Sequence, residues 1–156
     1  MFDQGLGDLF VIRVAGNIVA PSQVGSIEFA ASRYQVRLVV VMGHTRCGAI
    51  AATIEELRQP AEKQSRNLRS IVDRVRPWVQ TLMETPLQHD HDALLAHSVR
   101  ANVRASVNHL KHASEILEDL IDHHGLMVVG AEYCLDSGVV EFLDEDAQTL
   151  AGGLRE

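Results

Sequence analysis

Apolar positions along this chain fall into two patterns: short continuous runs, and stripes at three-to-four spacing. Leu9-Phe-Val-Ile-Arg-Val14 is a β-branched run bounded by Gly5 and Gly7 before it and by Ala15-Gly16-Asn17 after it. It predicts a buried strand with a tight exit. From Ser22 to Tyr34 the apolar positions Val24, Ile27, Phe29, Ala30 and Ala31 predict a helix on the sheet, with Ser22 as its N-cap. Arg37 to Gly43 is apolar almost throughout, as in a parallel strand covered on both faces. Ala49 to Leu57 reads as a helix, broken by Gln59-Pro60. Leu68, Ile71, Val72, Val75, Val79 and Leu82 make Asn67–Met83 an amphipathic helix, closed by Thr85-Pro86. Asp92 to Leu120 reads as one long helical tract, ended by Gly125. Leu126–Gly130 is a third buried-type strand, and Gly138–Leu143 a fourth after the Asp136-Ser137-Gly138 turn. The alternation predicts an α/β fold, a mainly parallel sheet flanked by helices, in one domain over residues 1–156.

Bulk properties narrow the classes of function. The hydrophobic fraction is 46% and the charged fraction 22%, ordinary for a globular protein. A net charge of −7 argues against a nucleic-acid surface, which needs clustered positive charge. Arg66, Arg69, Arg74 and Arg76 do cluster, but Asp73 interrupts them, and they read as a solvated helix face. No run of about 18 apolar residues predicts a membrane span, and no charged segment followed by an apolar one predicts a signal peptide. Cys47 and Cys134 do not make a disulfide framework, so reduced thiols in the cytoplasm are the expectation.

The chemistry concentrates in His44-Thr-Arg-Cys47-Gly48, directly after the second strand. An imidazole and a thiol, three residues apart, are side chains that zinc prefers. Loops at the C-terminal end of a parallel strand open into the crevice where α/β proteins bind ligands. Gly43 and Gly48 bracket the pair and allow close backbone approach. A thiol at a helix N-terminus meets the positive end of the backbone dipole, which favours thiolate and metal binding. The spacing leaves three readings open: a metal pair, a buried cysteine beside a hydrogen-bonded histidine, or a nucleophilic Cys/His couple. The last has no adjacent orienting Asn or Asp. Six further histidines, His89, His91, His109, His112, His123 and His124, read as solvated surface, and Cys134 as a packing thiol. Asp8 and Arg13 are candidate polar pocket residues.

Taken together, the segments resemble a β-class carbonic anhydrase. The matching text is Gly7-Asp-Leu-Phe-Val-Ile-Arg-Val-Ala-Gly-Asn17, Gly25-Ser-Ile-Glu-Phe-Ala30 and Val39-Val-Val-Met-Gly-His-Thr-Arg-Cys-Gly48. Further on come Asn102-Val103, Val129-Gly-Ala-Glu-Tyr133 and Asp136-Ser-Gly-Val-Val-Glu-Phe-Leu143. The resemblance implies zinc-dependent reversible hydration of CO2 to bicarbonate, with His44 and Cys47 as zinc ligands. It implies that the Gly48 backbone N–H meets a bicarbonate oxygen. It makes Phe10 and Phe29 the apolar wall of a CO2 pocket contributed across the interface of a homodimer or higher oligomer.

The same resemblance implies an incomplete site. The family's third ligand is a cysteine in a Cys-x-Asp-x-Arg motif, whose Asp–Arg dyad serves the zinc-bound hydroxide. Met1-Phe-Asp-Gln-Gly5 is similar to family text just after that motif. The chain then corresponds to the C-terminal three-quarters of the family domain, without the family's first internal strand, the dyad, or the third ligand. No catalytic residue is assignable. The expectations are a zinc site with two of three protein ligands and weak or absent activity. Direct pairing of the Leu9–Val14 and Arg37–Gly43 strands, or a depleted sheet, is expected with them. A catalytically inactive scaffold or oligomerisation protein of the same fold is the alternative.

Overall fold

The computed structural model describes residues 2–60 and 65–143. Its elements run α1 (Pro21–Tyr34), β1 (Leu38–His44), α2 (Gly48–Arg58), α3 (Arg66–Met83), α4 (His91–Lys111), α5 (Glu115–His124), β2 (Met127–Tyr133) and β3 (Val140–Phe142). Short 3-10 turns occupy Ala15–Asn17 and Pro86–His89. The sheet order is β1-β2-β3. β1 and β2 are parallel, in register from Leu38↔Met127 to His44↔Tyr133. β3 returns antiparallel on β2, with Ala131 opposite Phe142. The α/β architecture follows the hydrophobic pattern, and among the described residues parallel pairing is confined to β1 and β2.

Two apolar clusters hold the helices in place. Ile50, Ile54, Val75, Val79, Leu94 and Val99 knit α2, α3 and α4 together. Val41 and Val128 of the sheet pack with Ala31, Val103, Val107, Leu110 and Leu117. The two clusters meet α4 along its length, so α4 is the spine against which the sheet rests. Gly43 lies close against α4: a Cβ there would lie 2.7 Å from Val103 Cγ2 and 3.1 Å from Val99 Cγ1. One charge is buried on the sheet: Glu132, on β2, accepts a 2.8 Å bond from Arg100 Nε, whose guanidinium also reaches Glu141 at 2.9 Å.

Four expectations are corrected. Leu9–Val14 is not a strand; it pairs with no strand among the described residues, and Val11 is 66% exposed. An apolar run becomes a strand only where a neighbour takes its backbone hydrogen bonds. The sheet is accordingly the depleted one of the two outcomes expected. The Asp92–Leu120 tract is two helices, because Ser114 Oγ caps a new helix by accepting from Leu117 N at 3.2 Å. Helix α1 starts at Pro21 with Ala20 as its N-cap, so Ser22 lies inside it. The fixed φ of proline suits the first helical position. β2 extends to Tyr133, three residues past the expected end, while β3 is confined to Val140–Phe142. Residues 1, 61–64 and 144–156 of the expected 1–156 domain lie outside the described residues.

Candidate metal and substrate site

β1 ends at His44 and α2 begins at Gly48, so the residues between them form a short loop at the C-terminal edge of the sheet. A cleft of about 270 Å³ opens there, lined by Val14, Ala15, Gly16, Asn17, Met42, His44, Cys47, Gly48 and Ala49. Three of the expected site residues therefore share one cavity. Cys47 is 4% exposed and occupies the N-cap position of α2. His44 is half-buried, and its Nδ1 lies 3.0 Å from the carbonyl oxygen of Thr45. A carbonyl can only accept, so this bond places the ring proton on Nδ1 and leaves the Nε2 lone pair available. That is the arrangement of a metal-binding histidine, oriented through its other nitrogen. A Cβ at Gly48 would meet nothing within 4 Å, so α2 opens onto free space at its first residue. Amides of a helix's first turn lack partners within the helix and favour anions.

The opposite wall is the Ala15–Asn17 turn. Gly16 and Asn17 both have positive φ, 67° and 42°. Buried Asn102 on α4 donates to Gly16 O at 2.6 Å, and Ser106 donates to Asn17 O at 3.0 Å. The loop itself is tied to the far end of β2. Thr45 N donates to Tyr133 O at 3.0 Å, Leu135 N donates to Thr45 Oγ1 at 3.0 Å, and Arg46 forms two bonds to the Asp136 carboxylate at 2.7 and 2.8 Å. The hydrogen bond and charge of Arg46 hold the Asp136 carboxyl below its ordinary pKa, and Asp136 in turn raises that of Arg46.

Other expected residues lie elsewhere. Phe10 and Phe29, expected to act across an interface, do not line the cleft of their own chain; with Tyr34 they form an exposed aromatic cluster, ring centroids 5.6 to 6.5 Å apart. Asp8 caps a local turn by accepting from Gly5 N at 2.8 Å, and Arg13 is exposed. Cys134 does not join the pair. Its thiol sits beside Ser137, whose hydroxyl, with backbone N–H groups of Ser137 and Asp136, lowers its pKa. The histidines read as surface are exposed, His123 meeting Asp119 at 3.2 Å. Among the described residues no third His, Cys, Asp or Glu gathers with His44 and Cys47 into a metal-binding group. The donor types suit zinc, but they amount to two of the three or four it takes. Sequence reasoning passed over Arg46, Asp136 and Asn102 as parts of this site. Arg46 was visible only as a residue between two donors, and its partner lies 90 residues away.

A family model described as carbonic anhydrase matches residues 1–140. This chain belongs to the β-class carbonic anhydrase family. It is 36% identical over 141 residues to a carbonic anhydrase of Mycolicibacterium smegmatis, covering 90% of this chain and 66% of that relative. The chain therefore spans just under two thirds of that relative's length. The crystal structure of a β-carbonic anhydrase of Aspergillus fumigatus superposes with a TM-score of 0.77 at 27% identity, over 96% of this chain and 71% of that one. Tetrameric β-carbonic anhydrases of Sordaria macrospora share the fold, with a TM-score of 0.76 at 23% identity over 89% of this chain and 70% of theirs. No helix among the described residues of this family member is long and apolar enough to cross a membrane.

Proposed function

We propose that the chain carries part of a zinc site for the reversible hydration of CO2 to bicarbonate. The observation that supports this most is the cleft shared by His44, Cys47 and Gly48 at the end of β1. His44 Nε2 and Cys47 Sγ would hold the ion, and zinc, when bound, supplies a hydroxide near neutral pH by acidifying its water. The residues of this chain supply orientation. The Thr45 carbonyl fixes the His44 ring, burial keeps the Cys47 sulfur in place, and the exposed Gly48 at the start of α2 would offer its N–H to an anionic oxygen. A cleft of about 270 Å³ suits a small substrate.

The remaining zinc donors come from outside the described residues, from water or a neighbouring chain. The second is consistent with a homo-oligomer in which the exposed Phe10, Phe29 and Tyr34 cluster is covered. The compartment we assign is the cytoplasm, where the free Cys47 and Cys134 stay reduced. Two donors alone bind zinc weakly and leave the chain poorly active or inactive. The same two-donor count supports a second reading, a zinc-free scaffold of the same fold.

Metal analysis and stopped-flow CO2 hydration with added zinc test both. The proposal expects zinc to bind wild-type protein and not His44→Ala or Cys47→Ser, with hydration close to the buffer rate. Zinc binding that survives both substitutions sinks the ligand assignment. A rate well above buffer overturns the expectation of weak activity.

A further inference from the structure

The loop between the two candidate donors contains only Thr45 and Arg46, so whatever fixes these residues fixes the backbone of His44 and Cys47 together. Both are fixed by one partner. The β1–β2 ladder ends at His44↔Tyr133, and beyond it the contacts continue. Thr45 uses its N–H on Tyr133 O and its hydroxyl oxygen on Leu135 N, each at 3.0 Å. Arg46 follows, with Nη1 at 2.8 Å and Nη2 at 2.7 Å from the two carboxylate oxygens of Asp136. Its φ of 54° lies in the left-handed region, uncommon for a residue with a side chain. This turn aims Cys47 at the start of α2 and the guanidinium away, toward the β2–β3 turn.

We propose that Arg46 and Asp136 are a positioning pair: they lock the His44–Cys47 loop onto the β2–β3 turn and so set the relation between the two donors in the cleft. The assignment of His44 and Cys47 as donors rests on the function proposed above. The pair touches neither substrate nor metal and acts through the loop. Its bidentate geometry requires the planar fork of arginine, which a lysine ammonium cannot reproduce. Both side chains are well exposed, 62% and 67%, so truncating either opens no cavity in the core.

The test uses the full chain with Arg46→Ala, Arg46→Lys, Asp136→Asn and the swap Arg46→Asp/Asp136→Arg. Two readouts are taken. In metal-free protein, the alkylation rate of Cys47 by iodoacetamide is mapped by mass spectrometry, which separates it from Cys134. In parallel, Co2+ is titrated and followed by its thiolate-to-cobalt absorption. Arg46→Ala and Asp136→Asn are expected to raise the Cys47 rate and weaken Co2+ binding, each by about three- to fivefold, the scale of an exposed ion pair. Their melting temperatures should stay close to wild type. Arg46→Lys should fall between, and the swap should recover most of the loss. A Cys47 rate unchanged in Arg46→Ala and Asp136→Asn overturns the proposal, as does a swap no better than the single variants. The two readings separate cleanly. If Cys47 reactivity responds but wild-type protein shows no thiolate-to-cobalt band, the positioning pair stands and the metal assignment falls. If Co2+ binds and no variant changes either readout, the reverse holds.

Discussion

Replacing Gly43 with alanine tests the close packing of β1 on α4. A Cβ at Gly43 would come 2.7 Å from Val103 Cγ2 and 3.1 Å from Val99 Cγ1. Carbon atoms pack at about 3.5–4.0 Å, so the methyl group overlaps one valine by nearly 1 Å. Neither valine can yield easily. Both are β-branched residues on a helix, where χ1 is largely confined to one rotamer, and they are 0% and 1% exposed. The remaining response is a shift of α4 away from β1, which disturbs the clusters on both sides of it. Overpacking of this kind costs roughly 1–3 kcal/mol. Taking about 2 kcal/mol, the melting temperature should fall by about 4–8 °C for a chain of this size. Thermal and urea unfolding of Gly43→Ala measure it. Val103→Ala makes room for the new methyl, so the double variant should be less destabilised than the sum of the singles by at least about 0.5 kcal/mol. Strict additivity, or a melting temperature within 1 °C or so of wild type for Gly43→Ala, would refute the reasoning.

Two further outcomes concern residues that hold the cleft and its loop in place. Asn102→Ala removes the 2.6 Å bond to Gly16 O from a buried position, and should cost about 2 kcal/mol in urea unfolding while amide exchange at the Ala15–Asn17 turn accelerates. Because Arg46 depresses the Asp136 pKa in the folded state, the pair's contribution is present above the unfolded-state pKa. It is lost as pH falls through the lower folded value. An NMR titration of the Asp136 carboxyl should show that depression in wild-type protein and its disappearance in Arg46→Ala; an identical titration in both would rule it out.

The elements legible in the sequence were those whose burial is local in pattern. Arg37–Gly43 was read as a strand within a residue or two, but the expected cover on both faces is not there: only Val41 and Gly43 of β1 are buried, and Leu38 is 52% exposed. α3 carries its buried Val72, Val75 and Val79 on one stripe, which a 3.6-residue period makes visible. The break at Ser114 was missed because helical residues continue on both sides of it, and the cap works through one side-chain bond. Leu9–Val14 misled for the opposite reason. Its composition is that of a strand, but being a strand is a property of a pair.

By itself, the sequence determined that an imidazole and a thiol stand at the end of an apolar strand, and which family that text belongs to. Both follow from order along the chain. Tertiary structure alone decided that the Ala15–Asn17 turn faces that pair, that Asn102 holds the turn, and that Phe10 and Phe29 stand apart from it. It also decided that Arg46 finds Asp136, a partner 90 residues away. The physical reason is that periodicity reports only which face of an element is buried. Which other element covers that face, and which polar groups meet at the strand ends, depends on how the helices pack around β1 and β2.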